Sequence, residues 1–210
     1  MNKGEITRQR IIADAAPIFN QRGFAGCSMQ DVMEATGLEK GGIYRHFGSK
    51  EELAAEAFKF ALGQAVKTRT GDIGHIEGSV EKLRYLINRF VDTPSPMAGG
   101  CPLMNTAIDS DDGSTVLRAL ARQGIQDWRS RLVRIVETGV KQGEIRKKTD
   151  PVRIANTIIA TLEGALMMSR IENSRKALQD AQATLNEFLD TIVLRPTDHA
   201  TRHKAKAVTA

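Results

Sequence analysis

Residues 28–53 read SMQDVMEATGLEKGGIYRHFGSKEEL, and the order of caps and glycines in this stretch decides the fold. Ser28 is an N-cap residue with Asp31 at the reciprocal capping-box position, so a short helix opens here and runs through Val32 and Ala35. Gly37 stops it. After a brief turn, Glu39 to Phe47 reads as a further helix, with Ile43 and Phe47 directed into a core. Ser49-Lys50-Glu51-Glu52 forms a second capping box, opening a longer helix that carries Leu53, Ala57, Phe60 and Ala61 on one side. Upstream, Ile11, Ala15 and Phe19 recur at i, i+4 and i+8, the buried stripe of a first helix ending at Gly23. Three short helices with a glycine turn between the second and third make a helix-turn-helix, the motif occupying about residues 28–47.

The rest of the 210-residue chain also reads at helical period. Thr70 to Gly78 is a glycine-rich loop. Val80, Leu83, Ile87, Phe90 and Val91 form the next stripe, closed by Pro94-Ser95-Pro96. Leu117, Leu120, Gly124, Trp128, Leu132 and Ile135 line a long helix. Asp150 as N-cap and Pro151 at the first helical position open another, through Ile154, Ile158, Leu162 and Ala165. Leu178, Ala181, Leu185, Phe188, Leu189 and Ile192 mark the last. No strand pattern is present. The expected fold is all-α: an N-terminal three-helix domain at 1–50, a larger helical domain at 51–194, and a disordered basic tail at 195–210.

Charge placement supports this division. Residues 1–50 carry a net charge of +2, residues 195–210 carry +3, and the stretch between is neutral. A basic head on a neutral body suits a small anion-binding module joined to something that binds neutral matter. No run of apolar residues is long enough to span a membrane, and no secretion signal precedes the first helix. Two cysteines far apart, Cys27 and Cys101, point to a reducing cytoplasm rather than a disulfide framework. They and the four histidines match no zinc spacing, and no cofactor is expected.

Phosphate oxygens attract hydroxyls, imidazoles, ammonium groups and helix N-termini. Tyr44, His46 and Lys50 bring such donors within seven residues. Ser28 at its N-cap, and Thr7 with Arg8 at the start of the first helix, are further candidates. Gly41 and Gly42 cost their helix about 1 kcal/mol each relative to alanine; letting the backbone approach base edges accounts for that cost. Lys40 and Arg45 are then placed to read or flank bases in the major groove.

Gly37-Leu38, Lys40-Gly41-Gly42-Ile43-Tyr44-Arg45-His46-Phe47 and Ser49-Lys50-Glu51-Glu52-Leu53 together resemble the signature of TetR-family transcriptional regulators. The resemblance covers roughly residues 7–60. Met29 and Gly42 depart from it, standing where the family often has a small hydroxyl residue. It implies backbone contacts to DNA from Tyr44, His46 and Lys50. It also implies a homodimer joined through the last two helices of each subunit, bound to a palindromic operator as a repressor and released by a small molecule.

A sensor of neutral matter needs a pocket between helices. Phe90, Met97, Met104, Trp128 and Met168 are its candidate lining, since methionine adapts to irregular shapes and tryptophan offers a flat apolar wall. The same residues also suit an ordinary core. The expected effector is an apolar or weakly polar small molecule, or an electrophile. Cys101 stands before Pro102 at a helix start, where the helix dipole favours a thiolate. The Gly100-Cys101 junction resembles that of TetR-type repressors which sense electrophiles. No Lys, Arg or His lies nearby to assist, and Cys101 also fits as a small buried residue.

Two other function classes remain. A helical-bundle enzyme would need Glu-x-x-His pairs on facing helices, and the nearest thing is Asp72-x-x-His75 in a glycine-rich loop. The protein is therefore not expected to be an enzyme. A constitutive DNA-binding protein would have no use for the large neutral domain.

Overall fold

The computed structural model describes residues 2–111 and 113–193; the expected basic tail at 195–210 lies outside the described residues. Among those residues the secondary structure is nine α-helices and one 3-10 turn, with a single antiparallel bridge between Ile145 and Val193. The all-α expectation holds.

Local chemistry sets the helix boundaries. Helix α1 (Lys3–Gly26) opens on an Asn2–Glu5 capping box that the sequence reading passed over. It bends at Gly23, whose φ is 75°, and resumes to Gly26. Helix α2 (Met29–Thr36) has the capping box expected from Ser28 and Asp31, and Gly37 closes it in the left-handed conformation. Such a cap contributes about 1 kcal/mol. The carboxyl of Asp31 is held below the usual carboxylate range by hydrogen bonds from the Ser28 side chain and backbone, and by Arg22. Helix α3 (Lys40–Tyr44) is shorter than the expected span, and a turn carries the chain on to Phe47. Helix α4 (Lys50–Thr70) is capped by Ser49, which accepts the Glu52 N–H at 3.0 Å. The return bond differs from a capping box: the Glu52 carboxylate accepts from Gly48 N–H, at 2.7 Å.

A 3-10 turn at Ile73–His75 leads to α5 (Ser79–Asp92), followed by α6 (Pro102–Asp109), α7 (Thr115–Gln142), α8 (Pro151–Ile171) and α9 (Lys176–Ile192). Pro102 and Pro151 sit at the starts of α6 and α8 as their fixed φ favours. Asp150 caps α8 by accepting from Val152 and Arg153 N–H.

The helices form two compact units. One takes in the chain to Gly71 together with Thr93–Trp128; the other takes in Asp72–Asp92 and the chain from Arg129. The expected head, 1–50, lies wholly within the first unit, which also contains α4, α6 and the first half of α7. Its core gathers Ile11, Ile12, Ala15, Phe19, Val32, Ile43, Phe47, Leu53 and Leu117. These include the residues whose spacing defined the three short helices, so apolar burial there fixes the motif.

The second unit packs α5, α8 and α9 with the end of α7. Ile154, Ile158 and Leu162 of α8 are buried, as are Leu178, Leu185, Leu189 and Ile192 of α9. Asn88 of α5 accepts from Gln182 and Asn186 of α9, both at 3.1 Å. Glu144 caps α5 from a distance, accepting the Ser79 N–H at 2.6 Å. The stripe of α9, one of the two helices through which the resemblance implies pairing, is thus largely covered within its own chain.

Candidate nucleic-acid interface

Helix α3 separates its two sides cleanly. Ile43 is 1% exposed and Phe47 2%, and together they anchor the helix on the first-unit core. Lys40, Gly41, Tyr44 and Arg45 are exposed, while Gly42 and His46 are half-buried. The structure therefore brings Lys40, Gly41, Gly42, Tyr44, Arg45 and His46 together on one short segment. A Cβ placed on Gly41 would meet nothing within 4 Å, and one on Gly42 would meet Leu38 at an ordinary 3.7 Å. Internal packing does not demand these glycines, so their helix cost calls for something outside the chain.

The candidate cations are held rather than waving. Lys40 Nζ lies 5.9 Å from the centre of the Tyr44 ring. Lys50 Nζ lies 4.4 Å from the Phe24 ring, a cation–π contact that restricts the ammonium to one region. Ser28 is exposed, and its hydroxyl donates to Asp31 at 2.7 Å. Thr7 donates to the Lys3 carbonyl at 3.0 Å.

Arg8 stands apart from the group. Its guanidinium lies 4.7 Å from the Phe47 ring and pairs with Glu52 at 3.7 Å and Glu56 at 3.5 Å. Glu56 is held below the usual carboxylate range, by Lys59 first and by Arg8 after it. Pairs this exposed contribute about 1 kcal/mol or less each. Sequence reasoning could not see these contacts, since Arg8 and Glu52 are joined only by the packing of α1 on α4.

The candidate effector residues divide between the units. Met97 and Cys101 are buried in the first, and Met104 and Trp128 are half-buried there; Phe90 is buried in the second. Met168 is exposed on α8 beside Met167 and Ile171. Arg89, Arg129 and Glu163 each bury a charged-group atom in the second unit, a feature the apolar periodicity did not pick out. In the first unit, α1, α4, α6 and the start of α7 line a small, partly open cavity of about 20 Å³, with Phe19, Phe58, Asn105, Asp109 and Leu117 among its walls. It has room for about one water molecule.

The family model of bacterial regulatory proteins of the tetR family matches residues 11–57, and that of the tetracyclin repressor-like C-terminal domain matches residues 79–185. The chain belongs to the TetR family. This TetR-family protein is 42% identical to a TetR transcriptional regulator from Chloroflexus aurantiacus J-10-FL, with a TM-score of 0.87 over 92% of this chain and 98% of that one. A TetR-family transcriptional regulator from Cytophaga hutchinsonii is 34% identical, also with a TM-score of 0.87, over 93% and 98% of the two chains. The HTH-type transcriptional repressor DhaR of Mycobacterium sp. strain GP1 is 26% identical over 183 residues, 87% of this chain and 91% of that repressor. As a TetR-family member the protein is a DNA-binding transcription regulator of the helix-turn-helix type. No helix among the described residues is long and apolar enough to cross a membrane.

Proposed function

We propose that the protein is a dimeric repressor whose paired heads bind a palindromic operator and which a small apolar or weakly polar effector releases. The observation that carries this reading is the one-sided α3, with two glycines that internal packing does not require beside Lys40, Tyr44 and Arg45. Gly41 and Gly42 admit the backbone to the major groove; Lys40 and Arg45 read or flank bases. Tyr44, His46, Lys50 and Ser28 hold phosphates, with Thr7 at the margin. Arg8 serves chiefly to tie α1 to α4.

Pairing is assigned to α8. Gly164, Met167, Met168 and Ile171 share a face at spacings of three and four residues, and a Cβ on Gly164 would meet nothing within 4 Å. In this reading Met168 belongs to the pairing face rather than to the effector pocket. The effector acts by population shift, binding the DNA-incompetent arrangement better than the competent one. A hundredfold preference corresponds to about 2.7 kcal/mol of coupling. The cavity between α1, α4 and α6 is far below the roughly 300 Å³ of a small-molecule pocket. An effector that entered there would have to part these helices, and so disturb the head. Modification of Cys101 is the alternative trigger, and release that persists in Cys101→Ser would exclude it.

The test of the interface uses three variants on duplexes enriched by the wild-type chain from a random pool. Tyr44→Phe and Lys50→Ala should each weaken binding to every duplex alike, by about tenfold, because they remove phosphate contacts. Lys40→Ala should change which sequence is preferred. Wild-type affinity and preference in all three, with helix content intact by circular dichroism, would refute the assignment.

A further inference from the structure

Helix α6 is fastened to the end of α1 by polar bonds that the DNA-binding reading leaves unused. The Asp109 carboxylate accepts the Phe24 N–H at 2.7 Å. Gly23 makes this approach possible: its φ is 75°, and a Cβ there would run into that carboxylate. One turn earlier on α6, Asn105 Nδ2 donates to the Asn20 carbonyl at 2.9 Å and to the Gly99 carbonyl at 2.8 Å. The Phe24 backbone is thus pinned by a side chain from 85 positions away, and its ring faces the Lys50 ammonium at 4.4 Å.

We propose that Phe24 and Asp109 are positioning residues for Lys50: Asp109 fixes the Phe24 backbone, and the Phe24 ring holds the ammonium where a DNA phosphate receives it. The proposal rests on the phosphate role given to Lys50 above. Three consequences follow from the geometry. Phe24 must present a π face, so leucine fills the space but does not hold the cation. Asp109 must offer an oxygen, so asparagine substitutes for it and alanine does not. A change in α6 that withdrew Asp109 would slacken Lys50, giving the body of the protein a lever on DNA affinity.

The test has two arms, both on the full chain. In the DNA-free protein, the Lys50 Hε resonances should carry an upfield ring-current shift. It should vanish in Phe24→Leu and Asp109→Ala, and persist in Asp109→Asn. In the second arm, affinity for a random-sequence duplex is measured against salt. Lys50→Ala should lower affinity about tenfold and reduce the salt slope by about one ion. Phe24→Leu and Asp109→Ala should reproduce both effects, and neither should add to Lys50→Ala in the double variant. Asp109→Asn should stay near wild type, which separates acceptor geometry from removal of a negative charge.

A ring shift that survives Asp109→Ala would overturn the proposal, as would losses that add to those of Lys50→Ala. A salt slope unchanged by Lys50→Ala itself would overturn the phosphate role of Lys50, while the first arm would still report on the packing.

Discussion

Gly99→Ala should lower the melting temperature by roughly 6–12 °C, although the change adds one methyl group on a loop. Gly99 has a φ of 97°, a conformation that costs a residue with a side chain on the order of 1–3 kcal/mol. A Cβ there would also stand 2.7 Å from the Asn20 carbonyl oxygen and 2.9 Å from its carbon. These are backbone atoms inside α1 and cannot turn aside. Relief requires the 97–101 loop to lift from α1, and that loop is held by Asn20, whose amide donates to the Ala98 carbonyl at 2.7 Å and the Gly100 carbonyl at 3.3 Å. Asn20 is 7% exposed, so its freed polar groups would be left without water. Together these place the loss near 3 kcal/mol, and a chain of this length converts each kcal/mol into about 2–4 °C. Gly41→Ala is the contrasting control. With open space around it and helical backbone, it should hold or raise stability while impairing DNA binding. A Gly99→Ala melting temperature within about 2 °C of wild type would contradict the argument.

The second large effect concerns pairing. Met168→Asp combined with Ile171→Asp should weaken the dimer by more than a hundredfold. Met168 is 47% exposed and Ile171 77% exposed in the single chain, so the change leaves the internal core alone. In a two-fold interface each substitution occurs twice, and every carboxylate would be buried without a partner. Uncompensated buried charge costs about 3 kcal/mol or more. Leu185→Asp provides the contrast: Leu185 is 1% exposed, so this variant should unfold the chain rather than separate two folded ones. Sedimentation distinguishes the cases. A folded monomer from the α8 double variant is expected; a double variant that stays dimeric at micromolar concentration, as the wild-type chain should, would remove α8 from the interface.

The contrast between α8 and α9 shows where sequence reading reached its limit. Both helices carry apolar residues at helical spacing, and periodicity cannot say whether a stripe meets its own chain or another. Only the packing of α9 against α5 and α8 shows that Leu178, Leu185 and Leu189 are covered within the chain. The helix-turn-helix was legible because its signals are local. Ser28 caps three residues ahead, Gly37 stops the same helix, and Ile43 and Phe47 sit one turn apart. Gly23 was legible as an interruption, yet its reason was not, because Asp109 lies 86 positions further along the sequence. The surroundings of Arg8 were hidden for the same reason. Its charge at the start of α1 was legible, but its pairs with Glu52 and Glu56 across the α1–α4 contact were not. Arg89, Arg129 and Glu163, half-buried with one charged-group atom of each fully covered, escaped notice because a charged residue amid an amphipathic pattern reads as a solvated face.

In the proposed function, paired α3 helices recognise two related half-sites. Sequencing the duplexes that the wild-type chain enriches from a random pool tests it most directly. The expected product is an imperfect palindrome with half-sites about one helical turn apart, roughly 34–36 Å, bound by chains in even number. Enrichment of no palindromic sequence, from a pool that the folded protein has been shown to sample, would contradict it.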